Sequence, residues 1–354
     1  MSSPTVDIIV PVWNNPFETR ACLAAILEYS PEARLIIVDN GSNRETELML
    51  EEFSEPLGEH GLFITTERNI GLIPAINRGL ARSDSDVAVI VRPHVIVTSG
   101  WLAALLEAAR TSGTGIVSPR FSGTAAPLLP MLVRGCSQME SCTVSTSALL
   151  LRGEMRMVAG LFDETLDGGE WCLRDYVRRV AGLGYRTSLI ARPLLICGSE
   201  QNFGSAERQR EMYIKSQVTY RERWGITHHV AVYFGGEATA VDLSDSVNAI
   251  LEAARLGHRF TLLLHRRQYA DFRSRGWHGL HTGIKISRLA PFFALRSLSQ
   301  HMTVLRTESP DLIVMRGGQG VLFPGDETAL PLDEMMTILS DGSSKAGPAT
   351  EEYP

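Results

Sequence analysis

Apolar, β-branched runs that alternate with helix-start signals constrain this chain more than any other feature. DIIVPVW (7–13), ARLIIVDNGS (33–42), LFITTERNIG (62–71), DVAVIV (86–91) and GIVSPRF (115–121) read as strands, the third weaker than the rest. Between them Asn15, Pro16 and Glu18 read as N-cap, N1 and N3 of a helix that carries Cys22, Leu23, Ile26 and Leu27 on one face. Ile73 to Ala81 reads as a second helix, and Ser99 as the cap of a third over GWLAALL. Continuous apolar strands separated by helices predict an α/β fold with a mainly parallel sheet covered on both faces. Ligands in such sheets lie at the carboxyl ends of the strands. The residues to read are therefore Trp13-Asn14, Asp39-Asn40, Glu67-Arg68-Asn69 and Arg92-Pro93-His94.

After residue 121 the pattern loosens. SGTAAPLLPMLVRG reads as a loop, VSTSALLL (144–151) as a strand, WCLRDYVRRVAGLGYR as a helix and TSLIARPLLIC (187–197) as a strand. AERQREMYIKSQVTYRERWG (206–225) reads as a long charged helix ended by Gly225. Beyond His228-His229, VAVYFGG, DSVNAILEAARLGH, RFTLLLH, HMTVLR and DLIVMRG form a second, smaller α/β set. The expected organisation is 1–227, 228–339 and a disordered polar tail over 340–354. With 354 residues and 44% hydrophobic content the chain can bury two cores. Its net charge of −6, without a basic face, argues against a nucleic-acid partner. No apolar run approaches the ~20 residues of a membrane span. The five cysteines are odd in number and form no CxxC pair, which suits a reducing compartment. With no leader pattern at the N-terminus, the expected site is cytoplasmic.

VPVWNNPFETRACLAAIL, IIVDNGS, ERNIGLIPAINRGL, the strand ending in RPH, GWLAAL, VSTSALLLRGEMRMVAGLFDE and CLRDYVRRVAGLGYR stand in the order seen in family 2 glycosyltransferases. Over residues 6 to 225 the chain resembles that family, closest to its rhamnosyltransferase-like branch. The resemblance implies a GT-A fold, a nucleotide-diphosphate sugar donor, a glycan or small-molecule acceptor and a role in polysaccharide biosynthesis. It implies that Pro11, Val12, Trp13 and Asn14 lie against the nucleoside. It also implies that Asp39 accepts hydrogen bonds from the base, as an acceptor-only carboxylate suits. The competing reading of Asp39 is turn capping within Asp-Asn-Gly-Ser. Asn69 and Gly71 match the segment near ribose and phosphates, where glycine permits close approach. Asn77 is read either as a further contact or as an ordinary helix-surface amide.

At two places the chain departs from its relatives. Where the family carries a DxD-type motif holding Mg or Mn on the diphosphate, this chain has Arg92, Pro93 and His94, and no acid between Asp86 and Glu107. Three readings are open. Arg92 and His94 supply positive charge to the diphosphate directly, without a metal. Or His94 joins Cys197 around a softer ion such as zinc. Or the site is degenerate, leaving a GT-A-like binding or scaffolding module. The second departure is the catalytic base. Anchoring on Cys172-Leu173-Arg174 puts Gly168 at its position, with Asp167 before it and Glu170 after it as the candidates. The competing reading of Glu170 is a helix cap, and that of Asp163 and Glu164 a structural turn. The leading expectation is an inverting transferase, with self-association as an open possibility.

Overall fold

The computed structural model describes residues 4–198, 206–239, 243–317, 321–326 and 328–341. The polar tail expected from residue 340 lies, from 342 onward, outside the described residues. Packing divides the chain into two units. The first is Met1–Pro130 with Thr143–Tyr220, and the second is Met131–Cys142 with Arg221–Glu352.

In chain order the first unit begins with β1 (Val6–Val12), α1 (Pro16–Tyr29), β2 (Arg34–Asp39), α2 (Arg44–Leu57), β3 (Gly61–Thr65) and α3 (Leu72–Leu80). It continues with β4 (Val87–Val91), β5 (Val95–Ile96), α4 (Trp101–Ala109) and β6 (Thr114–Ser122). Strand β7 (Gln138–Glu140) falls in the segment that belongs to the second unit. The first unit resumes with β8 (Ala148–Arg152), α5 (Gly153–Val158), α6 (Trp171–Gly182), β9 (Arg186–Cys197) and α7 (Ala206–Trp224), the last crossing the boundary after Tyr220. Its sheet runs β3-β2-β1-β4-β8-β6-β9-β5. Strands β1 to β4 pair in parallel, and β8 lies antiparallel to β4 and β6. The fully buried runs Ile8–Val10, Leu35–Val38 and Ala88–Val91 show why the strand readings were legible: a strand covered on both faces has no polar side.

Local signals fared less evenly. Pro16 does open α1, but Asn15 sits in the left-handed region (φ 56°) and makes no side-chain cap. Helix α4 is preceded by Gly100 at φ 73° rather than capped by Ser99. Strand β3 stops at Thr65, and Thr66 to Asn69 form the turn into α3. Helix α2 has no counterpart in the sequence reading. Asn43 caps it by accepting from the Thr46 N–H, and its buried positions (Thr46, Met49, Leu50, Leu57) are too sparse for a clear stripe.

The second unit holds β10 (His229–Tyr233), α8 (Ser244–Arg255), β11 (Arg259–Leu264), α9 (Arg266–Ser274), β12 (Ile284–Arg288), α10 (Ala294–Glu308), β13 (Ile313–Arg316), β14 (Leu330–Pro331) and α11 (Met335–Asp341). Its sheet runs β12-β11-β10-β13-β14, with every pair parallel. One face buries Val232, Phe260 and Leu262 against α8 and Phe272, and the other buries Tyr233 and Leu263 against Leu298 and Met302 of α10.

Candidate functional site

The Arg-Pro-His segment is a tight turn. The Arg92 carbonyl accepts from the Val95 N–H at 2.9 Å, returning the chain from β4 into β5. The Arg92 N–H donates to the Ser147 carbonyl, and the Gly198 N–H donates to the His94 carbonyl, so the turn is pinned from β8 and from beyond β9. Both side chains are buried, Arg92 to 8% exposure and His94 to 7%. Burial lowers the Arg92 guanidinium to about 10 against the pull of Glu170 and Asp167, so it stays charged at neutral pH. Burial, then the charge of Arg92, drops His94 to about 3. Both causes favour the neutral imidazole at His94 and leave Arg92 as the cation of this strand end.

His94 Nε2 lies 3.2 Å from Ser147 Oγ, Ser147 Oγ lies 3.2 Å from Ser145 Oγ, and Ser145 Oγ lies 3.5 Å from Glu170 Oε1. A chain of polar groups thus links the imidazole to the carboxylate. Ser145 and Ser147 are missing from the sequence expectations, and their signal was the polar half of the alternating VSTSALLL run. Glu170 stands at the start of α6, yet its side chain makes no cap there. It takes the Thr146 N–H instead, and protein surrounds it although it opens to solvent. Burial pushes its carboxyl up, to about 7, with Arg92 opposing. Water reaching the group offsets part of that push, and the direction remains upward.

Asp167 is half-buried and engaged. Its Oδ1 accepts from the Ile73 N–H at 3.1 Å, so it caps α3 from a loop more than ninety residues away in sequence. Burial raises its carboxyl to about 6, against the N–H groups of Ile73 and Leu72 and the charge of Arg92. A Cβ on Gly71 would stand 2.4 Å from Asp167 Oδ2, and Gly71 has φ 106°. The close approach that this glycine allows is that of Asp167. Gly168 and Gly169 are equally forced: a Cβ on Gly168 would meet the Met212 carbonyl at 2.3 Å, and Gly169 has φ 64°.

The residues expected on the nucleotide side divide. Pro11 and Val12 are buried within β1, opposite Val38 and Asp39, so their side chains are core. Trp13 and Asn14 are partly open at the strand end, and Asn14 adopts φ 55° while its Oδ1 accepts from the Asn43 N–H. Asp39 is 5% exposed and its Oδ1 accepts from the Ser42 N–H at 3.0 Å, the turn-capping arrangement. Asn40 ties the next loop down, donating to Asn69 Oδ1 and the Gly71 carbonyl and accepting from the Ile70 N–H. Asn77 is neither a surface amide nor open to a ligand. It is 4% exposed and grips the Phe162–Glu164 turn, donating to the Phe162 carbonyl and Glu164 Oε1 and accepting from the Phe162 N–H. Asp163 accepts from the Thr165 N–H, so this acidic pair is a structural turn.

A hard divalent cation wants oxygen ligands. The β4 end offers a guanidinium and a neutral imidazole held by Ser147, which do not fit Mg or Mn. Among the described residues no three His, Cys, Asp or Glu side chains gather in a ligand arrangement. A cavity of about 330 Å³ lined by Pro4, Val6, Ala33, Leu102 and Arg110 opens near the amino-terminal end of β1, away from these groups.

Residues 7–127 match the model of Glycosyl transferase family 2. No curated protein matches the sequence. Among solved structures, one described as GalNAc-T7 with UDP, GalNAc and Mn2+ aligns at TM-score 0.51 and 17% identity, covering 62% of this chain and 49% of that one. The chain therefore spans about half the length of that relative. S. aureus TarS 1-349 aligns at TM-score 0.45 and 12% identity, covering 71% of this chain and 80% of that one. The mostly parallel sheet and the GalNAc-T7 likeness give the N-terminal unit a GT-A fold. More particularly, over residues 7–127 the chain is similar to glycosyl transferase family 2.

Proposed function

We propose that the N-terminal unit transfers a sugar, with inversion, from a nucleotide-diphosphate donor to a hydroxyl of a glycan or small-molecule acceptor. One observation carries this reading: the buried Arg92 guanidinium shares the strand ends with the Asp167 and Glu170 carboxyls, close enough to feel both charges, and Glu170 opens to solvent. Glu170 takes the proton of the acceptor hydroxyl as that oxygen attacks the anomeric carbon. A base with its pKa near the working pH suits that task. Asp167 is committed to α3 and positions the start of that helix. Arg92 counters the charge that grows on the leaving diphosphate, a role a fixed guanidinium fills without a metal. Asp39, Trp13, Asn14 and Asn69 are the residues toward the nucleoside and ribose. The reading implies a compartment supplied with nucleotide sugars, the cytoplasm.

Calorimetric titration with UDP, GDP and dTDP, each with and without Mn, tests it. One nucleotide should bind without the metal. Glu170→Gln should bind it as well as the unaltered protein while losing about 10²–10⁴-fold in transfer rate. Binding that requires Mn removes the direct role of Arg92. No binding to any of the three leaves the domain a non-catalytic module.

A further inference from the structure

The second unit carries a surface that sugar transfer does not use. Strands β11 and β12 end level, Leu264 opposite Arg288, so the segments leaving them share one edge of the sheet. The segment after β12 passes Pro291 and enters α10, and it exposes Phe292 to 91%, Phe293 to 70% and Leu295 to 64%. It is held from within, because Leu289 and Leu298 are buried in the cluster that Ala294 also touches. Leu322 is 81% exposed between Val321 and Phe323, both of which pack on that same cluster. Single exposed apolar side chains are ordinary, but three within four residues on an anchored segment are not.

Arginines share this edge of the sheet. Arg288 ends β12, Arg296 follows Leu295, and Arg266 and Arg267 open α9 just beyond Leu264. All four are exposed. Among the described residues none of them is ion-paired, and Arg288 lies over the Tyr269 ring. Two acids stand near this edge, Glu237, whose charge reaches His265 beside Arg266, and Asp271, one turn from Arg267 on α9, against four arginines. In a chain of net charge −6 these arginines gather against the average sign.

We propose that this edge docks the protein on an anionic lipid surface. Phe292, Phe293 and Leu295 enter the boundary between headgroups and acyl chains, while Arg266, Arg267, Arg288 and Arg296 sit at the lipid phosphates. The tip protrudes. A bilayer accepts protruding side chains anywhere on its surface, whereas a protein partner must offer a matching hollow. The area also favours lipid: three such side chains offer on the order of 400 Å², short of the ~800 Å² a stable protein interface takes from each partner.

Co-sedimentation of the full chain with phosphatidylcholine vesicles, with and without phosphatidylserine, tests the proposal. The protein should partition onto the phosphatidylserine vesicles and come off as salt rises. Phe292→Ser with Phe293→Ser should lower partition by about tenfold or more. Arg288→Glu with Arg296→Glu should remove the preference for phosphatidylserine. Phe292→Trp should shift its emission to the blue on those vesicles, a readout independent of the serine variants' folding. Absence of partition, or equal partition of the double serine variant, overturns the proposal. So does a chain that runs as a dimer, falls apart in the serine variant and ignores vesicles, since the tip then joins two copies of this protein.

Discussion

Glu170 is where residue-scale chemistry has the most to say. Its carboxyl is lifted from an ordinary glutamate value to about 7, burial being the largest cause. As the proposed base, Glu170 works ionised, so the transfer rate should climb with pH through about 7 and level above it. Ser145 holds the carboxyl down by donating to it, so Ser145→Ala should move that limb to higher pH, as a pH–rate profile will show. Linkage gives a second readout. Between pH 4.5 and about 7 the folded chain holds a proton on Glu170 that the unfolded chain has released. Stability from this group is full below 4.5 and falls as pH rises through 7. Thermal melts of Glu170→Gln should therefore gain on the unaltered protein as pH increases. Gly71 is a separate case, fixed by φ 106° and by Asp167 Oδ2 at 2.4 Å from any added Cβ. Gly71→Ala should cost about 1–3 kcal/mol in denaturant unfolding.

At the scale of elements, α3 is held at its start and along its body by residues far away in sequence. Asp167 caps its start, and Asn77 ties its body to the Phe162–Glu164 turn with three hydrogen bonds. Asn77→Ala would leave the buried N–H and carbonyl of Phe162 without partners, each costing about 1–3 kcal/mol. The expected result is a loss of about 2–4 kcal/mol in urea unfolding, with Asn77→Asp milder because it keeps an acceptor for the Phe162 N–H. The same comparison shows what the sequence could reveal. The strands were legible because burial on both faces leaves them no polar positions, and the strand ends followed from them. The tasks of Asn77, Asp167 and Gly71 were not legible. An amide in a helix and a glycine in a turn look alike whether they meet a ligand or a loop ninety residues on. The charge on His94 was hidden as well, because it depends on burial and on its distance from Arg92, not on residue type.

For the whole molecule, the first unit releases the chain at Pro130, recovers it at Thr143 and releases it again at Tyr220. A linear reading sees only a Pro- and Gly-containing loop there, because several of the bonds that hold it are made to residues more than a hundred positions away. Glu140 takes Arg255 Nε and Nη2 at 2.6 and 2.8 Å, and both side chains are largely buried. The Glu140 N–H donates to the Leu280 carbonyl, the Thr282 N–H donates to the Glu140 carbonyl, and the Thr282 hydroxyl donates to Ser141 Oγ. A fragment ending at residue 220 would keep residues 131–142 but remove every one of these partners. Backbone without hydrogen-bond partners opens readily, and proteases cut at such openings. Limited proteolysis should therefore cleave the 1–220 fragment within 131–142 at least about tenfold faster than the full chain, while the β1–β4 core resists in both. Mass spectrometry of the first products locates the cut. Equal rates at this segment in the two proteins would mean that it holds its shape without the second unit, and that the division belongs at a single point in the chain.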